Sequence, residues 1–181
     1  MFDKYACGPE VRGNVVGLSF DTTASTPVIV DAEGTPLALL PEFAEDPDAM
    51  FVLWKDHTAL IESDRINEVA HSWSIDYTKY SGGTYSCEWV WAKMLHCLRV
   101  NENVRAVAYS WVENCDWITG LLIDNVKPET MLRSRCVALR GIRPCGMSRG
   151  AVFLHGIFCV RLILCLKYSK DTSILIQLQE M

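Results

Sequence analysis

The chain carries no Cys-x-x-Cys pair among its eight cysteines, so the spacing of a zinc site or of a dithiol redox motif is missing. Those cysteines read as thiols that mostly fill a core in a reducing compartment. Gly-x-Ser-x-Gly, His-Glu-x-x-His and Walker-type loops are also absent, which removes the hydrolase elbow, the zinc protease helix and the P-loop from consideration. Basic excess is lacking: 17 Lys and Arg against 22 Asp and Glu leave a net charge of −5, and nucleic acid is not an expected partner. The opening residues lack the basic and apolar pattern of a secretion signal, so a cytoplasmic location is expected. No internal repeat or low-complexity segment occurs. The longest apolar run, Ala151 to Leu166, is broken by His155, Gly156 and Arg161. A membrane span needs about 20 apolar residues, and a mid-span Arg costs about 2.5–3.5 kcal/mol, so no membrane segment is expected.

What is present suits a folded chain. Half of the 181 residues are apolar and 22% are charged, a balance that excludes wholesale disorder. The charge is unevenly spread. Residues 1–136 hold 20 of the 22 carboxylates and 11 of the 17 basic residues, a net of −9, whereas residues 137–181 stand at +4. The second stretch also lacks a strand or helix period, so 1–136 is expected to be the structured unit and 137–181 an irregular tail.

Within the first unit the pattern predicts strands, then helices, which suggests part of an α/β or α+β domain. Asn14–Phe20 is a β-rich run. Val28–Val30 and Thr35–Leu40 flank the turn residues Asp31-Ala32-Glu33-Gly34 and predict a hairpin. Pro41–Met50 reads as an acidic surface loop and Phe51–Trp54 as a short extended segment. Asp56 is placed to cap a helix whose buried stripe includes Leu60, Ile61, Ile66 and Val69, with Glu62 on the wet side. A loop over Asp76–Gly83 precedes a helix over Thr84–Leu98, with Trp91, Met94, Leu95 and Leu98 on one stripe. Shorter helices are expected over Asn101–Ala108 and Asp116–Ile123.

Chemistry-bearing residues cluster at Phe51-Val52-Leu53-Trp54-Lys55-Asp56-His57-Thr58. An indole face covers the C–H bonds of a polyol, while Lys and Asp pair with its hydroxyls. The competing reading is a Trp at a strand end beside an exposed helix cap. Tyr80-Ser81-Gly82-Gly83-Thr84 either presents hydroxyls to a ligand or is an ordinary loop. Gly17–Thr23 begins like a phosphate-binding hairpin, but no glycine follows Asp21 where the backbone would have to turn tightly. His71 and His96 lack metal-ligand spacing and read as ordinary core or surface histidines.

Several of these runs, taken in order, resemble one family. Asn14–Pro27, Leu37–Thr58, Tyr77–Tyr85, Glu88–Lys93 and Ser110–Trp117 are similar to the FGGY carbohydrate kinases, specifically the L-ribulokinase branch, across about residues 8–136. The resemblance implies an incomplete actin/RNase H-like N-terminal lobe in which Thr26, Trp54, Lys55, Asp56 and Tyr80 face the sugar. It also implies ATP and Mg²⁺ as cofactors and a pentulose, L-ribulose, as substrate. The ATP pocket and catalytic base would lie in parts of such kinases that this stretch does not match, so the chain is expected to be an inactive fragment. The alternative is a sugar-binding or interaction module without catalysis. A fragment of that lobe would leave a sheet edge exposed, with self-association as the expected consequence.

After Arg133-Ser134-Arg135-Cys136 the resemblance implies a continuation like Ala-Gly-His-Lys-Ala-Met-Trp-His-Glu. Gly141–Ser148 can be written GGC ATA AGG CCA TGT GGC ATG AGT, and reading from the third base yields His-Lys-Ala-Met-Trp-His-Glu. Residues from about Val137 onward are therefore expected to be an out-of-frame translation.

Overall fold

Pro27–Val30 forms the first strand (β1), with the ring of Pro27 at the strand start, where a missing N–H is tolerated. Its partner is Ser110–Glu113 (β2), antiparallel, with Pro27 opposite Glu113 and Val30 opposite Ser110. Between them the chain forms helices Leu60–His71 (α1), Val90–Val100 (α2) and Glu102–Val107 (α3), and Asn114–Leu122 (α4) follows directly on β2. The structure, a computed structural model, describes residues 13–72 and 76–134. The expected irregular tail, 137–181, lies outside the described residues.

The hairpin expected with Thr35–Leu40 does not form. Its turn is present: the Asp31 carboxylate accepts from the amides of Glu33 and Thr35, both at 2.9 Å, and Gly34 sits at φ +84°. Pro36 then makes a single bridge to Val30, and Leu37–Leu39 coils into a 3-10 turn. Proline supplies no N–H, so the ladder cannot run past it. The edge of β1 is used instead by Val52, whose amide donates to the Pro27 carbonyl at 2.9 Å. Phe51–Trp54 thus lies beside β1 without being a strand.

Asn14–Phe20 also forms no strand. Both edges of β1 are taken, and Val16 and Leu18 stand exposed. Pro41–Met50 departs from a surface loop in part, because its 3-10 turns bury Phe43 and Ala49.

The strand pair is buried on both faces. Val28 and Val30 pack with Val112 and Met131, and Phe51 and Trp117 close that cluster with ring centroids 5.6 Å apart. Ile29 points the other way, into the larger core built from α1, α2 and the 37–49 turns.

Both longer helices start later than their sequence patterns suggest. Helix α1 begins at Leu60 with Ala59 as its N-cap, and Asp56 caps its own short turn instead. Leu60 and Ile61 are exposed, whereas Glu62, Ser63, Ile66 and Ala70 are buried. The inward face is set by contact with α2, which rotates the helix away from its most apolar stripe. Helix α2 starts at Val90; Glu88 lies ahead of it and pairs with His57 at 2.6 Å. Its expected stripe of Trp91, Met94 and Leu95 is buried, with Leu98 packed at the margin. Helix α3 is capped by Asn101, whose side chain accepts from the Val104 amide at 3.0 Å. The small α/β unit is thus a two-stranded sheet with four α-helices among the described residues.

Candidate functional site

Lys93 sits on the inward face of α2 and is 1% exposed. An ammonium removed from water needs oxygen partners, and this one donates to the carbonyls of Ser25 at 2.7 Å and Leu53 at 2.8 Å. One side chain therefore holds both the segment entering β1 and the segment leading into Trp54-Lys55-Asp56. Burial pushes the Lys93 ammonium below its ordinary value, against the opposing pull of Asp56 and Glu113.

Glu113, at the end of β2, completes this buried set. Its carboxylate accepts from the Ser25 hydroxyl at 2.9 Å and from the Thr26 amide at 2.8 Å. Burial raises its pKa above the ordinary value, a rise reduced by those two hydrogen bonds and by Lys93. Thr26 is itself buried; its hydroxyl shares a hydrogen bond with Thr23 at 2.8 Å.

In front of Lys93 opens a cleft of about 460 Å³. Phe51 and Leu53 give it apolar wall, and Lys55, Asp56, Lys93 and His96 supply charge and hydrogen-bonding groups. Asp56 accepts from the amide and hydroxyl of Thr58 at 2.9 and 2.5 Å. Burial raises its pKa, but both Thr58 bonds, Lys93 and His96 outweigh that, and the carboxyl stays below its ordinary 3.8. It is therefore an anion at neutral pH, able to accept from hydroxyls. His96 is oriented by Glu62, which it meets at 3.1 Å and which also pairs with Arg99 at 3.2 Å.

Of the sequence-predicted residues, Lys55 and Asp56 line the cleft together. Trp54 is half exposed and Thr26 is buried, and neither is part of the cleft lining. Tyr80 falls in the 3-10 turn Tyr77–Ser81, and its side chain lies outside the described part.

Curated proteins share this stretch. A ribulokinase of Vibrio parahaemolyticus is 54% identical over 126 residues, covering 69% of this chain and 22% of the relative. The chain is ribulokinase-like. Ribulokinases of Mycolicibacterium smegmatis and Bacillus licheniformis match at 40% over 117 residues and 31% over 124 residues, covering 62% and 68% of this chain. The ribulokinase-like chain spans about a fifth of the length of these relatives. No protein-family model matches it.

A ribulokinase-like reading raises the question of nucleotide and magnesium. Among the described residues no three His, Cys, Asp or Glu side chains gather where they would hold a metal ion. The buried cation of the cleft, Lys93, gives two of its three N–H donors to backbone carbonyls. Among the described residues, too, no helix is long and apolar enough to cross a membrane.

Sequence reasoning missed Lys93, Glu113, Ser25 and His96 as site-builders. One signal was available: Lys93 interrupts an otherwise apolar helical stripe between Trp91 and Met94, and such a lysine must find oxygen partners inside.

Proposed function

We propose that this chain is the sugar-facing part of a ribulokinase-like N-terminal lobe, and that its cleft binds a pentulose such as L-ribulose. The observation that carries the reading is the placement of Lys55 and Asp56, from the most family-specific run, in one polar-and-apolar cleft. Asp56, ionised at neutral pH, accepts from sugar hydroxyls, and Lys55 donates to sugar oxygens. Trp54, half exposed at the margin, covers C–H bonds of a sugar that projects beyond the cleft. Thr26 is buried next to Ser25, whose carbonyl Lys93 holds.

In the complete kinase reading, ATP with Mg²⁺ supplies the phosphoryl group, and the sugar hydroxyl receives it. The described residues are read as the acceptor's seat, and the resemblance puts the donor's clamp in parts of such kinases that this stretch does not match. The chain by itself therefore binds sugar without turning it over. In this reading the sugar-binding unit falls within residues 1–136, and 137–181 are an out-of-frame addition.

Titration calorimetry with L-ribulose tests this reading, together with a coupled assay for ADP in the presence of ATP and Mg²⁺. Saturable sugar binding with no ADP formed is expected. Absence of sugar binding defeats the site, and steady turnover by the purified chain defeats the fragment reading. Sequencing the gene across codons 130–145 tests the tail: a single-frame correction should extend the kinase similarity.

A further inference from the structure

We propose that Lys93 is a positioning residue that locks the two sugar-facing segments to one another, so that Thr26 and the Trp54–Asp56 segment move as one unit. This rests on the sugar-site reading, but the lock itself can be examined without any sugar. The geometry is specific. The two carbonyls held by Lys93 belong to Ser25 and Leu53, each immediately ahead of a residue that the family resemblance sets toward the sugar, Thr26 and Trp54. Neither segment is regular structure at those positions, so neither has a full backbone ladder to hold it. Glu113 fastens the same first segment through the Ser25 hydroxyl and the Thr26 amide. Besides the lysine, the second segment is held by the Val52 amide on Pro27, by its own turns from Asp56 to Leu53 and from Thr58 to Asp56, and by His57 on Glu88, and none of these reaches Ser25.

A lysine used only to fill space would be poorly placed here. Its stem crosses the core from α2, and a Met or Leu would fill the same volume without bringing a charge out of water. Its ammonium instead ends between two loops that share no direct hydrogen bond at Ser25 and Leu53. Held this way, the cleft wall keeps one shape before ligand arrives, which removes the ordering cost from binding.

Native-state hydrogen exchange on the full chain supplies the first test. In the wild type, the amides of Thr26 and Asp56 should open with equal opening constants, within about threefold, and with the same urea dependence. Independent opening of the two overturns the proposal. In Lys93→Met both amides should exchange about tenfold faster, while Ile66 and Ala70 in α1 change less than about twofold. Lys93→Arg, which keeps the charge and the donors, should restore most of the protection. A Met variant in which one segment alone loosens, or in which α1 loosens equally, overturns it. If Lys93→Met does not fold, the wild-type opening constants decide.

L-ribulose titration adds a second readout. Binding should weaken about tenfold in Lys93→Met with Lys93→Arg close to wild type. Equal affinity in the Met variant overturns the positioning role. If the wild-type chain takes no sugar, the sugar-site reading falls, and the exchange data still decide whether the lysine locks the two segments.

Discussion

Ser25 and Glu113 stand 88 residues apart in the chain and share a buried hydrogen bond of 2.9 Å, hydroxyl to carboxylate. The bond fastens the chain entering β1 to the end of β2, just where the register places Pro27 opposite Glu113. It also fixes a carboxylate behind the candidate sugar cleft, within the field of Lys93.

That carboxylate makes stability depend on pH. Burial raises its folded pKa above the ordinary 4.5, so the unfolded chain ionises first as pH rises. The contribution of Glu113 is fully present below 4.5 and is lost as pH climbs through the higher folded value. Glu113→Gln stays neutral throughout. Urea unfolding at pH 4 and pH 7 should therefore show the Gln variant gaining on wild type at the higher pH. A constant difference across that window contradicts the shift.

Asp56 behaves in the opposite sense. Its folded pKa lies below 3.8, so it remains an anion through the whole neutral range. Asp56→Asn should weaken L-ribulose binding about tenfold, the scale of a hydrogen bond to a charged group. Wild-type affinity should be flat between pH 8 and about pH 5, as far as this carboxylate governs it. Calorimetry at three pH values checks both statements.

Gly34 and Gly82 share φ +84° but differ in surroundings. A Cβ on Gly34 would lie 2.0 Å from the Val126 carbonyl oxygen, and one on Gly82 would meet nothing within 4 Å. Gly82→Ala should cost about 1 kcal/mol from backbone conformation alone. Gly34→Ala should cost about 2–3 kcal/mol, because the 124–127 loop must also move. Chemical denaturation of the two variants separates the backbone effect from the contact.

Cys97 is 3% exposed, and burial pushes its thiol up to about 12, with Asp48 and Asp56 adding to the rise. Iodoacetamide reacts with thiolates, so the folded chain at pH 8 should leave Cys97 unlabelled while half-buried Cys87 is modified. Peptide mass spectrometry distinguishes the two. Cys97 also lines the cleft, so rapid labelling of it in folded protein would mean that the cleft opens readily there.

Much of the local structure was legible because it is written in short-range chemistry. The Asp31–Gly34 turn, the apolar stripe of α2 and the Asn101 cap of α3 each depend on residues a few positions apart. The run Trp54-Lys55-Asp56 could be singled out for the same reason, since its residue types sit side by side. Strand pairing was misjudged because it is a long-range choice. Val28–Val30 had a partner in view at Thr35–Leu40, and Pro36 denies that partner its ladder. The run that does pair, Ser110–Glu113, lies some eighty residues on, and nothing in its local pattern names β1.

The sequence by itself determined the ribulokinase-like character of this chain, its charge break, its turns and its helix-forming stretches, because each of these depends on residue identity or on near neighbours. Tertiary structure alone decided that β1 pairs with β2, that Glu62 turns inward while Leu60 and Ile61 face water, and that Lys93 ends between Ser25 and Leu53. Those outcomes rest on which buried polar groups find partners once distant segments meet, and a buried charge is settled only by what surrounds it.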